Sequence, residues 1–252
     1  MIAAENLCLR QGERELIRDL NFRVAAGEVW LVLGENGCGK STLLSALAGW
    51  LPPDEGRVVL GERAIQGVPP QQRALTMAWQ VQHDVCPFPM SVIEKILTGR
   101  HPHLSRWAWE GETDVAIAQQ QLARVDLAGL SARDLATLSG GERRRVALAT
   151  ALTQQAPLLL LDEPLSQLDL RHQQQALQVL REEQQQGRAV VMVTHDPNHA
   201  HLLATHALLL FGDGRWLAGR VDEVLTAETL SALDRYPVRA LEDEGLTWFG
   251  ST

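Results

Sequence analysis

Glu28–Gly49 reads EVWLVLGENGCGKSTLLSALAG, and its three parts decide the fold. Glu28–Leu33 (EVWLVL) is an apolar run of the kind seen in strands buried on both faces. Gly34–Ser41 (GENGCGKS) fits the spacing G-x-x-x-x-G-K-[ST] between a strand and a helix. Lys40–Ala48 is expected to be that helix, closed by Gly49. Strand, glycine loop and helix in this order make a cradle for phosphate. Glycines let the backbone wrap closely, so that N–H groups point at phosphate oxygens. Lys40 reaches the β and γ oxygens as a point charge, and Ser41 offers a hydroxyl to Mg²⁺. Gly34, Glu35, Asn36, Gly37, Cys38, Gly39, Lys40, Ser41 and Thr42 are the expected nucleotide contacts.

Working outward, four leucines (Leu158–Leu161) lead into Asp162-Glu163-Pro164. An apolar strand ending in an acid, on the same sheet as the phosphate loop, brings a carboxylate to the Mg²⁺. Asp162 is that residue. Glu163 points elsewhere, because strand neighbours alternate, and is the natural general base for an attacking water. Ala189–Thr194 (AVVMVT) is a further buried run, and His195 follows it at the sheet edge where doubly wound folds bind ligands. A histidine there can donate to a γ-phosphate. His195, His199 and His201 also invite reading as a metal cluster. Asp196-Pro197 predicts an N-cap with proline at the first helical position, which leaves His195 off that helix.

Other segments fill in the layout. Leu20, Phe22 and Val24 alternate as in a half-buried strand, and Arg57–Leu60 is a short strand. Ser91-Val92-Ile93-Glu94 is a capping-box pattern whose helix Gly99 is expected to stop. Glu112–Val125 has helical spacing, so 84–150 reads as an inserted helical segment. Leu170, Leu177 and Leu180 share one face of a helix that ends at Gly187. Ala207–Phe211 and Arg215–Gly219, joined by Gly212-Asp213-Gly214, read as a closing hairpin. Alternating strands and helices imply a parallel sheet with right-handed crossovers.

A second glycine stretch, Ser139-Gly140-Gly141, opens the helix Glu142–Thr153 at the end of the insert. A helix start with free N–H groups and a hydroxyl is itself an anion site. Its place in the insert sets it far from its own Gly34 loop, so one nucleotide could hardly touch both. Two chains packed head to tail could hold the nucleotide between Lys40 of one and Ser139 of the other, giving two identical composite sites.

Nearly the whole chain resembles the ATPase subunit of ABC transporters. GENGCGKS is similar to the Walker A loop and LSGGE (138–142) to the family signature. LLLLDEP (158–164) is similar to the Walker B strand with its glutamate, SQLD (166–169) to the D-loop and His195 to the H-loop. Gln80 matches the Q-loop, with Gln82 as a competing candidate, and its amide would meet the Mg²⁺ or the water. The resemblance implies an α/β fold: a P-loop NTPase core with a mainly parallel sheet, an N-terminal antiparallel β subdomain and an inserted α-helical subdomain. It implies a single domain over 1–252, with 1–83 and 151–252 as the core and β subdomain and 84–150 as the helical subdomain. Two departures stand out. No aromatic lies near Arg10–Gln11, where the family often stacks adenine, and Thr150 stands where arginine is frequent.

Pro87–Val92 (PFPMSV) with Gly99-Arg100-His101-Pro102-His103 resembles the importers of iron-siderophore, haem and cobalamin. In that group this region receives a short helix of the membrane subunit, which makes His101, His103, Trp107 and Trp109 candidate contacts. The resemblance implies hydrolysis of ATP with Mg²⁺, with Glu163, His195 and Gln80 as catalytic residues and Ser41, Gln80 and Asp162 at the metal. It also implies a homodimer, transmembrane permease subunits, indirectly a substrate-binding protein, and a place at the cytoplasmic face of the inner membrane. A split exporter ATPase is the alternative. A soluble DNA-acting ATPase of the family would carry a long coiled-coil insert, and 84–150 is too short for one.

Bulk properties agree. The net charge of −8 argues against a nucleic-acid partner held by a basic surface. The cysteines (Cys8, Cys38 and Cys86) are scattered, and no leader is expected before them, which favours a reduced cytosolic setting. No apolar run approaches the roughly 18 residues that span a bilayer, so a channel would be a separate chain.

Overall fold

Side chains along β3 (Val29–Leu33) alternate between two cores, and that division organises the molecule. The computed structural model describes residues 1–82, 88–105, 107–243 and 246–251. The chain begins with β1 (Ile2–Gln11) and β2 (Arg14–Val24) and continues from β3 into α1 (Lys40–Leu47). It then forms β4 (Glu55–Leu60), β5 (Arg63–Ala64), α2 (Pro70–Thr76) and β6 (Met77–Gln80). Three helices follow, α3 (Val92–Leu97), α4 (Glu112–Arg124) and α5 (Gly140–Thr153). The core resumes with β7 (Leu158–Asp162), α6 (Leu170–Gln185), β8 (Ala189–Val193), α7 (His199–Leu203), β9 (His206–Leu210) and β10 (Trp216–Arg220). It closes with α8 (Val221–Val224), α9 (Ala227–Asp234), β11 (Val238–Asp243) and β12 (Leu246–Ser251).

The central sheet has the order β10-β9-β3-β8-β7-β6 and is parallel except for its edge strand β10. An antiparallel sheet of order β2-β1-β4-β5 packs beside it, and β11 and β12 form a hairpin. Every residue of β3, β7 and β8 is buried, as both faces of a parallel sheet must be. Trp30, Val32, Leu158, Leu160, Val191 and Val193 face α1 and the antiparallel sheet. Leu31, Leu33, Leu159, Leu161, Val190 and Met192 face α6 and the helices between β6 and β7. Period-two alternation therefore gives each strand one face for the N-terminal layer and one for the helical layer.

Among the described residues no strand runs between Gln80 and Leu158, apart from an isolated bridge of Ser91 to Asp134. Ser91 caps α3 with the expected box: its amide donates to Glu94 Oε2 (2.7 Å) and its hydroxyl accepts from Glu94 N (3.4 Å). The boundary between 83 and 84, Cys86 and Pro87 lie outside the described residues; Cys8 and Cys38 are buried and free. The helical layer is tied to the core through charge. Arg124 of α4 donates to Glu183 (2.6 Å) and Glu182 (2.9 Å) of α6, and Glu183 also holds Arg188. Burial works against the Arg124 charge, but these carboxylates outweigh it and raise its pKa above the usual guanidinium value.

Three expectations are corrected. Gly99 does not stop α3; the chain continues as a 3₁₀ turn, Thr98–His103. Gly99 is needed because a Cβ there would lie 2.4 Å from the Thr150 carbonyl oxygen of α5. Thr150 thus owes its importance here to its backbone. Asp196 is not the N-cap of α7, whose cap is Asn198, so Pro197 is not its first residue. The Asp196 side chain instead accepts from Asn198 N (2.8 Å), turning the chain before the helix. Leu177 and Leu180 are buried, but Leu170 begins α6 beyond the edge of the core and is 71% exposed. No helix among the described residues is long and apolar enough to cross a membrane.

Candidate nucleotide site

Three strands deliver the site to one sheet edge. β3 ends one residue before Gly34, β7 at Asp162 and β8 one residue before Thr194, with β8 between the other two. Gly34 sits at φ +154°, and a Cβ there would lie 2.4 Å from the Leu210 carbonyl oxygen and 2.6 Å from Cys38 Sγ. Gly39, at φ +109°, is the N-cap of α1, where left-handed backbone favours glycine. This helix start has no side-chain cap and no acid in its first turn, which leaves its N–H groups for a ligand. Lys40 is buried, and its Nζ donates to the carbonyls of Gly34 (2.7 Å) and Glu35 (2.9 Å), folding the ammonium over the loop. Ser41 and Thr42 follow at the head of α1, with Ser41 exposed.

Asp162 is 2% exposed, and its Oδ1 is buried with no partner among the described residues. Burial raises its pKa; the Ser41 hydroxyl, Lys40 and Arg144 pull it back, and the Glu163 charge adds to the rise. Gln80 closes β6 beside Leu161 of β7, and both its amide atoms, Oε1 and Nε2, are buried and have no partner among the described residues. Gln82 lies in the loop beyond, lining a cavity of about 270 Å³ with Lys95, Gly140, Arg143 and Gln167. The two glutamines are therefore placed differently, one beside the strand that carries Asp162 and one toward α5.

Glu163 adopts φ +51°, an uncommon left-handed position, and its carbonyl accepts from Ser166 N (3.2 Å) and Oγ (2.9 Å). Its carboxylate oxygen Oε1 lies 2.6 Å from His195 Nε2. The three histidines go separate ways: His195 to Glu163, His199 to the Thr194 hydroxyl (2.8 Å) and His201 onto the Phe249 ring. No three metal-binding side chains cluster among the described residues. A cavity of about 460 Å³ joins Gly34, Glu35 and Asn36 to His195 and to Leu230, Leu233 and Asp234 of α9.

Ser139 caps α5 with a full capping box. Glu142 Oε2 accepts from Ser139 N (2.7 Å), and Ser139 Oγ accepts from Glu142 N (3.2 Å). The Ser139 backbone N–H, together with the Ser139 hydroxyl, holds the Glu142 carboxyl below its usual range. The N–H groups of Gly140 and Gly141, in the first turn of α5, are left for an outside oxygen. Ser139, Gly140 and Gly141 share no hydrogen bond with Gly34–Ser41 among the described residues, and Gly140 and Gly34 line different cavities.

Two residues escaped the sequence reading. Arg144 is buried, with its Nη1 3.5 Å from the Asp162 carbonyl oxygen. Its spacing to Leu148 and Ala151 puts it on the inward face of α5, a signal the run Arg143-Arg144-Arg145 hides. Gln167 (φ +63°) lies against the signature glycines, with its Oε1 2.3 Å from where a Gly140 Cβ would stand. No local pattern announces that contact. Beyond α3, His103 Nε2 pairs with the Gln154 carbonyl (2.8 Å) and His101 with Glu110 (3.3 Å), while Trp107 and Trp109 are 86% and 88% exposed.

Comparison with known proteins agrees with this geometry. The family profile described as ABC transporter matches residues 17–166. The hemin import ATP-binding protein HmuV of Streptomyces coelicolor is 40% identical over 240 residues, covering 94% of this chain and 84% of that one. A metal-chelate type ABC transporter solved in an inward-facing conformation superposes with a TM-score of 0.85 at 32% identity, over 99% of this chain and 96% of that one. The dimeric post-hydrolysis state of the cassette MJ0796, bound to ADP and Pi, superposes with a TM-score of 0.78 at 26% identity, over 88% and 99% of the two chains. The uncapped phosphate loop, the carboxylates at the end of β7 and these similarities together make the chain a member of the ABC transporter family, an ATP-binding cassette that hydrolyses ATP.

Proposed function

We propose that the chain powers import of a metal chelate or corrinoid, such as iron-siderophore, haem or cobalamin, through a separate membrane permease. It works as a head-to-tail homodimer with two composite ATP sites, peripheral to the cytoplasmic face of the inner membrane, and is fed indirectly by a substrate-binding protein. The observation that carries the hydrolytic part is Glu163 Oε1 at 2.6 Å from His195 Nε2, on the sheet edge that also bears the phosphate loop. Glu163 accepts the proton of the attacking water. His195 holds Glu163 in place and donates to the γ-phosphate. Lys40 exchanges the loop carbonyls for phosphate oxygens.

The residues at the end of β6 and β7 fit Mg²⁺. Asp162 Oδ1 and Gln80 Oε1 are buried oxygens without partners among the described residues, and with the Ser41 hydroxyl they would give the ion an all-oxygen donor set. The ion would neutralise charge on the β and γ oxygens. Gln80, at the junction of core and insert, would also sense the helical layer, with Gln82 the competing candidate for that role. The second jaw is Ser139, Gly140 and Gly141 of the partner. The groove at His101, His103, Trp107 and Trp109 receives the permease. The importer reading is supported by the likeness to the hemin import ATP-binding protein and to the metal-chelate type transporter.

The test is a pair of substitutions. Glu163→Gln binds ATP and dimerises but turns over at least about 100-fold more slowly, the loss expected of a general base. Ser139→Arg abolishes hydrolysis while the monomer still binds ATP. Near-normal turnover in the first removes Glu163 from its role, and retained hydrolysis in the second removes the two-chain site.

A further inference from the structure

We propose that the C-terminal hairpin sets the position of His195, with Asn198 as the positioning residue; this rests on the role given to His195 above. Asn198 lies three residues after His195, at the N-cap of α7. Its side chain makes both bonds of a peptide-like pair with β12: Nδ2 donates to the Phe249 carbonyl (3.0 Å), and Oδ1 accepts from Phe249 N (2.7 Å). Phe249 is 8% exposed and packs in the same core as Ala200 and Leu203, and the His201 ring stacks on it with centroids 5.7 Å apart. The hairpin is therefore bonded to a side chain as if to a neighbouring strand.

The segment in between is braced against itself. Asp196 N donates to Thr194 Oγ1 (3.2 Å), Thr194 Oγ1 pairs with His199 Nδ1 (2.8 Å), and Asp196 Oδ1 accepts from Asn198 N (2.8 Å). Two anchors hold this braced piece. One is the sheet, where Thr194 N donates to the Val32 carbonyl (3.2 Å), and the other is Asn198 on Phe249. The His195 side chain is 46% exposed and meets Glu163 across the cleft, so the backbone at 194–198 fixes its aim. A misplacement of about 1 Å at a reacting group can cost about 100-fold in rate. The second anchor thus places an imidazole in the site from a hairpin outside it.

The experiment measures ATPase kinetics of the full chain with its partner subunits for His195→Ala, Asn198→Ala, Asn198→Asp and the double variant His195→Ala/Asn198→Ala. Asn198→Ala is expected to lower kcat about ten-fold with KM for ATP unchanged, because the phosphate loop is untouched. Asn198→Asp keeps the acceptor and loses the donor, so its loss is smaller. In the His195→Ala background, Asn198→Ala adds less than two-fold, because its path runs through the missing ring. An equal loss in both backgrounds, a raised KM, or an Asn198→Ala enzyme at the wild-type rate while His195→Ala is slow overturns the clamp. Wild-type turnover in His195→Ala instead overturns the role of His195. Should Asn198→Ala fail to fold, the same cycle is run with Asn198→Asp.

Discussion

Two helices begin with a glycine-bearing turn and a serine nearby, and they are built in opposite ways. At α1 the N-cap is Gly39, no side chain closes the helix end, and the buried Lys40 is folded back on the loop carbonyls. At α5, Ser139 and Glu142 satisfy each other's backbone N–H groups before any ligand arrives. An uncapped helix end keeps its positive field and its donors for phosphate. A capped one is stable alone and has only a few donors left. The first is a complete cradle that any single chain can use. The second is a preformed rigid jaw, able to add contacts to phosphates already held elsewhere. On the two-chain reading proposed above, each would be half of a site, and one chain would need both.

The largest test of this contrast is at the cradle. Lys40→Ala is expected to lower ATP affinity at least about 100-fold, from the loss of charge-assisted bonds of about 3 kcal/mol in total, as isothermal titration would report. Ser139→Arg is expected to leave that affinity within two-fold while removing hydrolysis; equal damage to binding by both would erase the distinction. Asp162→Asn sharpens it from another side. The folded-state pKa of Asp162 lies above its unfolded value, so its contribution to stability is full below about pH 3.8 and is lost as pH rises through the folded value. At neutral pH the nucleotide-free protein therefore bears a cost that Asn removes. Its melting temperature should rise by a few degrees, consistent with about 1 kcal/mol, while Mg²⁺-dependent hydrolysis disappears. No rise in melting temperature contradicts the buried-charge account.

Ser139→Ala is a milder lesion at the capped end. Loss of an N-cap costs about 1 kcal/mol, seen as a small drop in the melting temperature of the free chain. The equivalent change at Gly39 acts through the left-handed backbone instead. The smallest effect is that of pH on the box. The Glu142 pKa is lowered on folding, so its contribution is present above its ordinary value near 4.5 and is lost as pH falls through the depressed one. Glu142→Gln should flatten that acid limb slightly, as pH-dependent melting would show.

Legibility in the sequence followed the range of the contacts. The cradle was readable because strand, loop, lysine and helix are adjacent in the chain. The carboxylates were readable because an apolar run ends in them. The capping box at Ser91 was readable for the same reason. Gly99 reads as a helix stop, but its role is set by the backbone of Thr150, about fifty residues on, and not by the end of α3. Asp196-Pro197 looks like a helix start, but the bonds from Thr194 to His199 make it a turn and shift the cap to Asn198. Gln167 and the Asn198–Phe249 pair have no local signal, because each is defined by a partner on another element. Leu170 keeps the helical spacing of the buried leucines, yet the core ends before the first turn of α6.

Mass measurement of the Glu163→Gln protein with and without ATP and Mg²⁺ tests the divided site most directly. The account gives a nucleotide-dependent dimer that Ser139→Arg abolishes, and a wild-type rate per chain that falls on dilution. A wild-type protein that stays monomeric at saturating ATP, and hydrolyses at a rate per chain independent of concentration, contradicts it.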